Sequence, residues 1–201
     1  MIRNVVFDMG GVLLNYDPMM ACRRHAGNTQ DAQRVADAYF GTPEWIKVDH
    51  GTITEEEMLA RAQKQLNDPR LAQIAEGVFH DWHLDSLWPK EGMAEIIEWI
   101  SQKGYKLFIL SNAGLRFRDF EYKIPHLDLF SGILVSAEEV MLKPNAEIYN
   151  RLCEKFDIKA EECLFIDDLQ RNIDGAKNVN MQGYCFADGD PIKLKAYLET
   201  L

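Results

Sequence analysis

Three carboxylates stand directly after short apolar runs in this sequence. Asp8 follows the run "NVVF", and Asp167 and Asp168 close the run "CLFI". The run "KLFIL" ends in a similar way, in Ser111 and Asn112. If these runs are neighbouring parallel strands, their carboxyl ends meet at one edge of a sheet, where ligands bind in open α/β folds. Carboxylates crowded at one place favour a bound cation, because their like charges otherwise disfavour ionisation.

Two further features fit the same pattern. Lys143 precedes Pro144 at the start of the helical stretch that leads to "CLFI", and Gly10 and Gly11 follow the first carboxylate. An ammonium group offsets negative charge, and glycines let backbone amides and a carbonyl approach a ligand closely. Each feature alone has an ordinary explanation as a turn residue, a helix cap or a surface lysine. Their order along the chain, at successive strand ends, favours one shared site.

The pattern of apolar residues predicts the strands and helices that would position these residues. From about residue 89 onward, short apolar strands such as "YKLFIL", "SGILVS", "ECLFI" and "GYCFA" alternate with amphipathic helical stretches. Such alternation is typical of βαβ units, in which helices cover both faces of a parallel sheet. The run "NVVF" has the same character. We therefore expect an α/β fold with a Rossmann-like, doubly wound parallel sheet.

Residues 17–87 differ from the rest of the chain, because their apolar residues recur with helical periodicity and they contain few strand-like runs. Thr54 and Glu57 predict a capping box at the start of "TEEEMLARAQKQL", and "DPRLAQIAEGVFHDW" predicts a further helix. We expect a catalytic core of residues 1–16 and 88–201, with residues 17–87 inserted as a helical domain after the first strand.

The composition of the chain limits the kinds of partner that it can bind. The chain has 201 residues, 22 Lys and Arg against 32 Asp and Glu, and a formal net charge of −10, which argues against binding to nucleic acid or anionic membranes. No apolar run approaches the roughly 20 residues of a membrane span, and the start "MIRNVVFD" lacks a signal-peptide pattern. The four cysteines form no CxxC pair, so reduced thiols and a cytoplasmic location are expected.

Taken in order, "FDMGG", "LSNA", "KP" and "FIDDLQRN" resemble the motifs of the haloacid dehalogenase superfamily. That superfamily carries a cap domain where the helical insertion is expected here. The wording of the motifs is most similar to bacterial sugar-phosphate phosphatases related to glucose-1-phosphate phosphatase. The resemblance implies a phosphatase that acts on small phosphorylated metabolites, with sugar phosphates as the first candidates.

The resemblance also implies roles for the residues. Asp8 would attack phosphorus and form an aspartyl phosphate, and water would then hydrolyse this intermediate. Mg²⁺ would be held by Asp8, Asp168 and the carbonyl of Gly10, with Asp167 orienting the waters of the metal. Lys143 would supply the fixed positive charge.

The remaining site residues are expected to hold the phosphoryl group. Ser111, Asn112 and the amides around Gly10 and Gly11 would bind its oxygens. Asn172 would support the loop that carries the acidic pair.

The first motif departs from the usual family pattern. Most phosphatases of this group have a second aspartate two residues after the nucleophile, as general acid and base, and here that position is Gly10. Asp17 could replace it, although a turn role for Asp17 is the favoured interpretation. An aspartate introduced at Gly10 would strain the loop if that position had a positive φ.

Three other stretches could take part in a site. His80 and His83 have metal-like spacing but lack an evident third ligand, so packing or surface roles are favoured. For "CRRH" at residues 22–25 a solvated helix face is favoured over contact with a sugar phosphate. The aromatic stretch at residues 117–130 could line the mouth of the site, but packing is the favoured interpretation.

Two other functions remain open from the sequence. A 2-haloacid dehalogenase would use the same aspartate on carbon without a metal, and the acidic pair speaks against it. A non-catalytic member that binds a phosphorylated ligand or a partner is the other alternative, because the usual acid–base aspartate is missing.

Overall fold

The centre of the molecule is a parallel sheet whose strands end at the predicted site residues. The computed structural model describes residues 1–201. In chain order the strands are β1 (Asn4–Phe7), β2 (Leu14–Tyr16), β3 (Leu87–Pro89), β4 (Lys106–Ser111), β5 (Phe130–Val135), β6 (Cys163–Asp167) and β7 (Gln182–Cys185). Five of them form one sheet in the order β5-β4-β1-β6-β7, and all neighbours are parallel.

The register of this sheet brings the strand ends together. Phe7 lies opposite Ile109 on one side and Ile166 on the other. The next residue along β1 is Asp8, which therefore stands level with Leu110 and Asp167. All four residues of β1 are buried, as expected for a central strand covered on both faces.

The helices and helical turns complete the fold. They are α1 (Pro18–Ala26), α2 (Thr29–Tyr39), α3 (Trp45–Asp49), α4 (Glu55–Leu66), α5 (Pro69–Asp85), α6 (Met93–Gln102), α7 (Phe117–Phe120), α8 (Ser136–Glu139), α9 (Ala146–Phe156), α10 (Gln170–Asn178) and α11 (Pro191–Leu198). Short 3-10 turns cover Glu121–Lys123, Leu127–Leu129 and Ala160–Glu162.

Two apolar clusters show that both faces of the sheet are covered. One face of the sheet packs with α6 and α11 in the larger cluster, which continues into the helices that follow β2. The opposite face packs against α9 and α10 in a second cluster that includes Val6, Phe108 and Phe165. The doubly wound α/β fold predicted from the alternating texture is confirmed.

Helices α1–α5 lie between β2 and β3, which pair as an antiparallel ribbon. The capping box is confirmed, since Thr54 Oγ1 accepts from Glu57 N and Glu57 Oε2 accepts from Thr54 N. The ribbon was not predicted, because strands of three residues are too short to show a period of two. The division into a core and a cap at residues 17 and 87 remains a prediction.

Two general expectations concern the whole chain. None of the helices combines the length and the apolar character needed to cross a membrane. Cys22, Cys153, Cys163 and Cys185 are free thiols.

Candidate active site

Lys143 joins two of the strand-end carboxylates. Its Nζ lies 2.8 Å from Asp8 Oδ1 and 2.8 Å from Asp167 Oδ2, and it donates to Leu110 O at 3.0 Å. The three donors of the ammonium group thus face three acceptors from β1, β6 and β4. Lys143 is only 4 % exposed, so these partners replace the water it would otherwise bind.

The electrostatics of this cluster follow from its burial. Burial alone would lower the pKa of Lys143, but the negative charges of Asp8 and Asp167 hold that pKa above its usual value. Burial raises the pKa of the Asp8 carboxyl, an effect that Lys143 opposes and Asp167 reinforces. The cluster has one positive group and several negative ones, so an added cation at this edge would be stabilising.

The two members of the acidic pair have different surroundings. Asp167 is fully buried, and its carboxylate accepts from Asn172 Nδ2 at 2.9 Å and from Leu169 N at 2.9 Å besides Lys143. Asp168 is half-buried, and its carboxylate makes no hydrogen bond or ion pair within the chain. Asp167 therefore holds Lys143 and the loop in place, while Asp168 has its oxygens free for a ligand.

These carboxylates are close enough to share one ion. One oxygen each from Asp8, Asp167 and Asp168 lies within 4.8 Å of the others. Burial raises the pKa of Asp168, and the neighbouring charge of Asp167 adds to this effect. The expected metal residues thus lie together. Asp167 differs from the expectation in that its oxygens already accept from Lys143 and Asn172.

The residues after β4 support the lysine and line the site. Asn112 Nδ2 donates to Lys143 O at 3.1 Å, and Lys143 N donates to Asn112 Oδ1 at 2.9 Å. This reciprocal pair fixes the backbone of Lys143 beside β4. Ser111 is buried next to it and, like Asn112, lines a cavity that contains Asp8.

The two glycines after Asp8 serve different ends. Gly11 has φ +75°, and a Cβ atom there would lie 2.5 Å from Asp168 Oδ2, so only glycine permits this close approach. The Gly11 N–H donates to Leu14 O, so its predicted contact with a phosphoryl oxygen finds no support here. Gly10 does not have a positive φ, which would strain a side chain there, and nothing lies within 4 Å of a Cβ atom built on it.

Two cavities meet at the nucleophile. One, of about 810 Å³, opens over Lys143 and Asp168, and polar and charged residues make up most of its lining. The other, of about 180 Å³, lies under the helices that follow β2. The residues common to both cavities are Asp8, Gly10, Tyr16, Asp49 and Asn112. They mark the place where the two cavities join.

Aromatic rings form one wall of the smaller cavity. The ring centroids of Trp45 and Trp82 are 5.9 Å apart, and those of Tyr16 and Trp82 are 6.0 Å apart, all in edge-to-face contact. Phe117 and Phe120 complete the wall. The aromatic stretch therefore both packs and lines the site, which corrects the interpretation that it only packs.

An ion pair between Glu55 and Arg116 connects the aromatic wall of the smaller cavity to the loop that follows β4. Glu55 lies in α4, and its Oε2 accepts from Trp82 Nε1 at 3.1 Å and from Arg116 Nη1 at 3.1 Å. Arg116 also donates to the carbonyls of Phe79 and His80 at the end of α5. Sequence reasoning missed Glu55 and Asp49, because an acid inside a helix gives no signal of which way it faces.

The weaker sequence candidates lie outside both cavities. Asp17 caps α1 by accepting from Met19 N at 2.9 Å, and His83 packs against Arg116. His80 is exposed. In the "CRRH" stretch, Arg24 and His25 pair with Asp81 on α5. None of these residues lines either cavity, but Asp17 caps a helix where a turn role was favoured, and Cys22 of the "CRRH" stretch is buried where a solvated face was favoured.

The fold and this edge of the sheet define a class of protein. A family model described as "Hydrolase: haloacid dehalogenase-like hydrolase" matches residues 2–180. The chain therefore belongs to the haloacid dehalogenase-like hydrolases, as its ordered motifs predicted.

Particular relatives span nearly the whole chain. It is 27 % identical over 187 residues to the sesquiterpene phosphatase astK of Aspergillus oryzae, covering 91 % of this chain and 89 % of that protein. It is 24 % identical over 208 residues to the pyrophosphatase PpaX of Bacillus anthracis, covering 99 % of this chain and 88 % of that protein.

Solved structures share the fold. The enzyme bt-2542 of Bacteroides thetaiotaomicron, in complex with magnesium and inorganic phosphate, superimposes with a TM-score of 0.72 at 21 % identity, over 92 % of this chain and 94 % of that one. The L-2-haloacid dehalogenase of Xanthobacter autotrophicus gives a TM-score of 0.67 at 18 % identity, over 98 % and 88 % of the two chains. At these identities the likeness concerns the fold alone.

Proposed function

We propose that this chain is a Mg²⁺-dependent phosphomonoesterase that forms an aspartyl phosphate on Asp8. The observation that carries the proposal is the cluster of Asp8, Asp168 and Lys143 at the switch point of the sheet. Two relatives that match almost the whole chain are phosphatases of different substrates, a sesquiterpene phosphatase and a pyrophosphatase. Both support phosphorus as the reacting atom.

The donor set fits Mg²⁺. Asp8 and Asp168 would hold the ion with the carbonyl of Gly10, since hard carboxylate and carbonyl oxygens are the ligands that Mg²⁺ prefers. Two observations support this assignment. The Asp168 carboxylate has no partner within the chain, and Gly11 has no side chain at the place where that carboxylate lies. When bound, the ion neutralises negative charge on the phosphoryl oxygens and on the attacking carboxylate.

Charge is the main obstacle to the attack. A carboxylate about 4 Å from a phosphate oxygen meets about 4 kcal/mol of repulsion per pair of unit charges at an effective dielectric of about 20. The ammonium of Lys143, held at 2.8 Å from Asp8, offsets part of this repulsion. Asp8 Oδ2 is the free oxygen of the nucleophile, because Oδ1 accepts from Lys143 and from Met9 N.

The phosphoryl group would lie between the ends of β1 and β4. Ser111 lines the smaller cavity and Gly10 lines both, so at the junction of the two cavities the Ser111 hydroxyl and the Gly10 N–H could donate to phosphoryl oxygens. Asn112 has both of its amide atoms bonded to the backbone of Lys143, so it would act chiefly by fixing that lysine.

Dehalogenation is the less favoured chemistry. A 2-haloacid dehalogenase needs no metal, whereas Lys143 alone leaves three carboxylates within 4.8 Å of one another with an excess of negative charge that a bound cation would offset. Halide leaves carbon without any role for such a cluster.

We place the phosphatase in the cytoplasm, because its four cysteines are free thiols.

The smaller cavity bears on the substrate. An apolar cavity of about 150 Å³ holds benzene, so a volume of about 180 Å³ suits a leaving group built on a single ring. Sugar phosphates fit this description, with one face of the sugar against the indoles and hydroxyls toward Asp49 and Glu55. Aryl phosphates fit it also, and the aromatic walls specifically favour them. A fifteen-carbon chain exceeds this volume.

A substrate screen tests the proposal. Hexose 1-phosphates, hexose 6-phosphates, aryl phosphates and 2-haloacids are each incubated with the purified protein and either Mg²⁺ or EDTA. We expect Mg²⁺-dependent phosphate release from monocyclic phosphate esters and no halide release. Halide release, or phosphate release that survives chelation, would contradict the proposal.

A further inference from the structure

The position of Asp49 suggests where the missing proton donor lies. Asp49 is the last residue of α3, and it lines both cavities together with Asp8 and Gly10. The scissile bond would lie at this junction, because the phosphoryl group and the leaving group occupy different cavities. Gly10, where the usual acid–base aspartate would stand, brings no side chain to it.

The backbone around Asp49 is fixed against the sheet domain. Ser136 Oγ donates to Asp49 O and accepts from Ala113 N at 2.9 Å, which ties the end of α3 to the loop after β4. A Cβ atom at Gly51 would lie 2.4 Å from Ala137 O, so the chain passes there in direct contact. Asp49 is therefore held above the strand ends by a short and specific connection.

The Asp49 carboxyl is unused by the fold. Its side chain is half-buried and makes no hydrogen bond and no ion pair with any residue of the chain. The other carboxyl of the cavity, Glu55, is held by Arg116, Trp82 and Tyr39. Asp49 is the cavity acid whose proton is free to move to a bound substrate.

The charges around Asp49 suit an acid. The groups that face it are Glu55 from α4, Asp8 after β1, Lys143 and the phenol of Tyr16. Burial, followed by the charges of Glu55 and Asp8, raises the pKa of Asp49 to about 8, while Lys143 opposes the rise. A carboxyl of this kind is protonated when substrate binds near neutral pH, as a general acid must be.

We propose that Asp49 is the general acid and base that replaces the aspartate missing at Gly10. This assignment rests on the proposed phosphatase function, and it makes a residue of the helical insertion part of the catalytic machinery. Asp17, the substitute considered from sequence, is excluded by its use as the cap of α1 and by its place outside both cavities.

The proton balance is simple. As Asp8 Oδ2 forms its bond to phosphorus, the bond from phosphorus to the leaving oxygen breaks, and the Asp49 carboxyl gives its proton to that oxygen. The leaving group departs as an alcohol and Asp49 is left as a carboxylate. Water then attacks phosphorus, Asp49 takes its proton, and the bond to Asp8 breaks to release phosphate and regenerate both residues.

The leaving-group dependence of kcat/KM tests the acid role, because kcat/KM reports phosphoryl transfer to Asp8 and not the later hydrolysis, which is common to all esters. Asp49→Asn and wild type are compared on aryl and alkyl phosphates whose leaving alcohols span a wide range of pKa. The variant should lose about 10²-fold in kcat/KM on alkyl phosphates, since general acid–base catalysis contributes about 10²–10⁴-fold. It should lose far less on p-nitrophenyl phosphate, whose leaving group needs no proton. Asp17→Asn, a variant that keeps a good helix cap, is the matched control and should keep the wild-type slope.

A rescue variant separates chemistry from folding. Gly10 has an ordinary φ and open space for a Cβ atom, so Gly10→Asp can be built without the strain expected from the sequence. In the double variant Asp49→Asn with Gly10→Asp, activity on alkyl phosphates should recover while Asp49→Asn alone stays slow. An Asp49→Asn variant that retains the wild-type slope overturns the proposal. An Asp49→Asn variant whose kcat/KM falls as far on p-nitrophenyl phosphate as on alkyl phosphates, with no rescue by Gly10→Asp, overturns it as well.

The failure of this proposal is distinguishable from that of the phosphatase function. If wild type releases no phosphate from any ester, the phosphatase function itself fails. If wild type turns over both classes of ester and Asp49→Asn leaves their ratio unchanged, only the assignment of Asp49 fails.

Discussion

Lys143 Nζ lies 2.8 Å from Asp8 Oδ1, so the proposed nucleophile and the fixed cation form one unit before any substrate binds. The unit is buried, and Asp167 completes it from the neighbouring strand. A substrate phosphate entering from the larger cavity would meet this ammonium group and the free oxygen of Asp8 together. The arrangement is organised in advance, which is what electrostatic catalysis requires.

Removing the positive charge of Lys143 should lower both the catalytic efficiency and the stability of the protein, and the two losses can be measured separately. Lys143→Met keeps most of the side-chain volume and should lower kcat/KM by about 10²–10³-fold, the usual loss for one preorganised donor. It should also destabilise the protein by about 3 kcal/mol, because Asp8 and Asp167 lose the partner of a buried pair. Phosphate-release kinetics and urea unfolding measure the two effects. Lys177→Met, on the exposed face of α10, should change neither, and equal activity of the two variants would contradict the role of Lys143.

Gly11 should tolerate no side chain because of Asp168. In Gly11→Ala the new methyl group would displace the Asp168 carboxylate, so Mg²⁺ affinity should fall strongly and activity with it. Gly104→Ala is the matched control, since Gly104 has φ +88° but nothing within 4 Å of its Cβ position. Both variants should lose about 1 kcal/mol to left-handed backbone strain.

Isothermal titration with Mg²⁺ and activity assays read out the difference. Gly104→Ala should bind Mg²⁺ as wild type does. Mg²⁺ affinity that is unchanged in Gly11→Ala would mean that Asp168 does not hold the ion.

The Arg116–Glu55 pair should carry much of the stability of the aromatic cavity. Arg116→Met leaves the Glu55 carboxylate buried without its cation and should cost about 3 kcal/mol, the scale for breaking a buried pair. Arg118→Met, which breaks surface pairs with Glu121 and Glu138, should cost at most about 1 kcal/mol. Urea unfolding of both variants gives the comparison. Similar losses would show that Glu55 is better solvated than its contacts indicate.

The pH dependence of stability should report on Asp49. A carboxyl whose pKa is raised on folding binds more protons in the folded state, so stability falls as the pH rises from about 4 to about 8. Asp49→Asn removes this dependence. The free energy of unfolding of the variant, relative to wild type, should therefore rise across this window, and each unit of the pKa shift contributes about 1.4 kcal/mol. Urea unfolding of metal-free protein at several pH values measures it, and a difference that is constant with pH would contradict the raised pKa.

Much of the sheet and its edge was predictable from sequence, for physical reasons. Buried parallel strands are continuous apolar runs, so β1, β4 and β6 are recognisable, and a polar residue that ends such a run must stand at the sheet edge. The positions of Asp8, Ser111 and Asp168 at this edge follow from that rule alone. The sequence did not reveal that Gly11 has a positive φ and lies against Asp168, whereas Gly10 has neither constraint. Both properties depend on the conformation of the folded loop.

The helical insertion shows where such reasoning stops. Periodicity identified α4 and α5, but it does not say which face of a helix turns toward a site on another part of the chain. Asp49 and Glu55 look like ordinary helix acids in the sequence, and only the packing of α3 against α8 and the pairing of Glu55 with Arg116 bring them over Asp8. Their place depends on tertiary contacts between residues far apart in the chain, which a single sequence does not encode locally.

Chemical trapping of the intermediate tests the central claim most directly. Protein mixed with a turning-over phosphate ester and Mg²⁺ is quenched and treated with borohydride, which reduces an acyl phosphate of aspartate to homoserine. Mass spectrometry of the digested protein should find homoserine at position 8, only when substrate is present and not in Asp8→Asn. Phosphate release without homoserine at position 8, or homoserine at position 167 or 168 instead, would contradict Asp8 as the nucleophile.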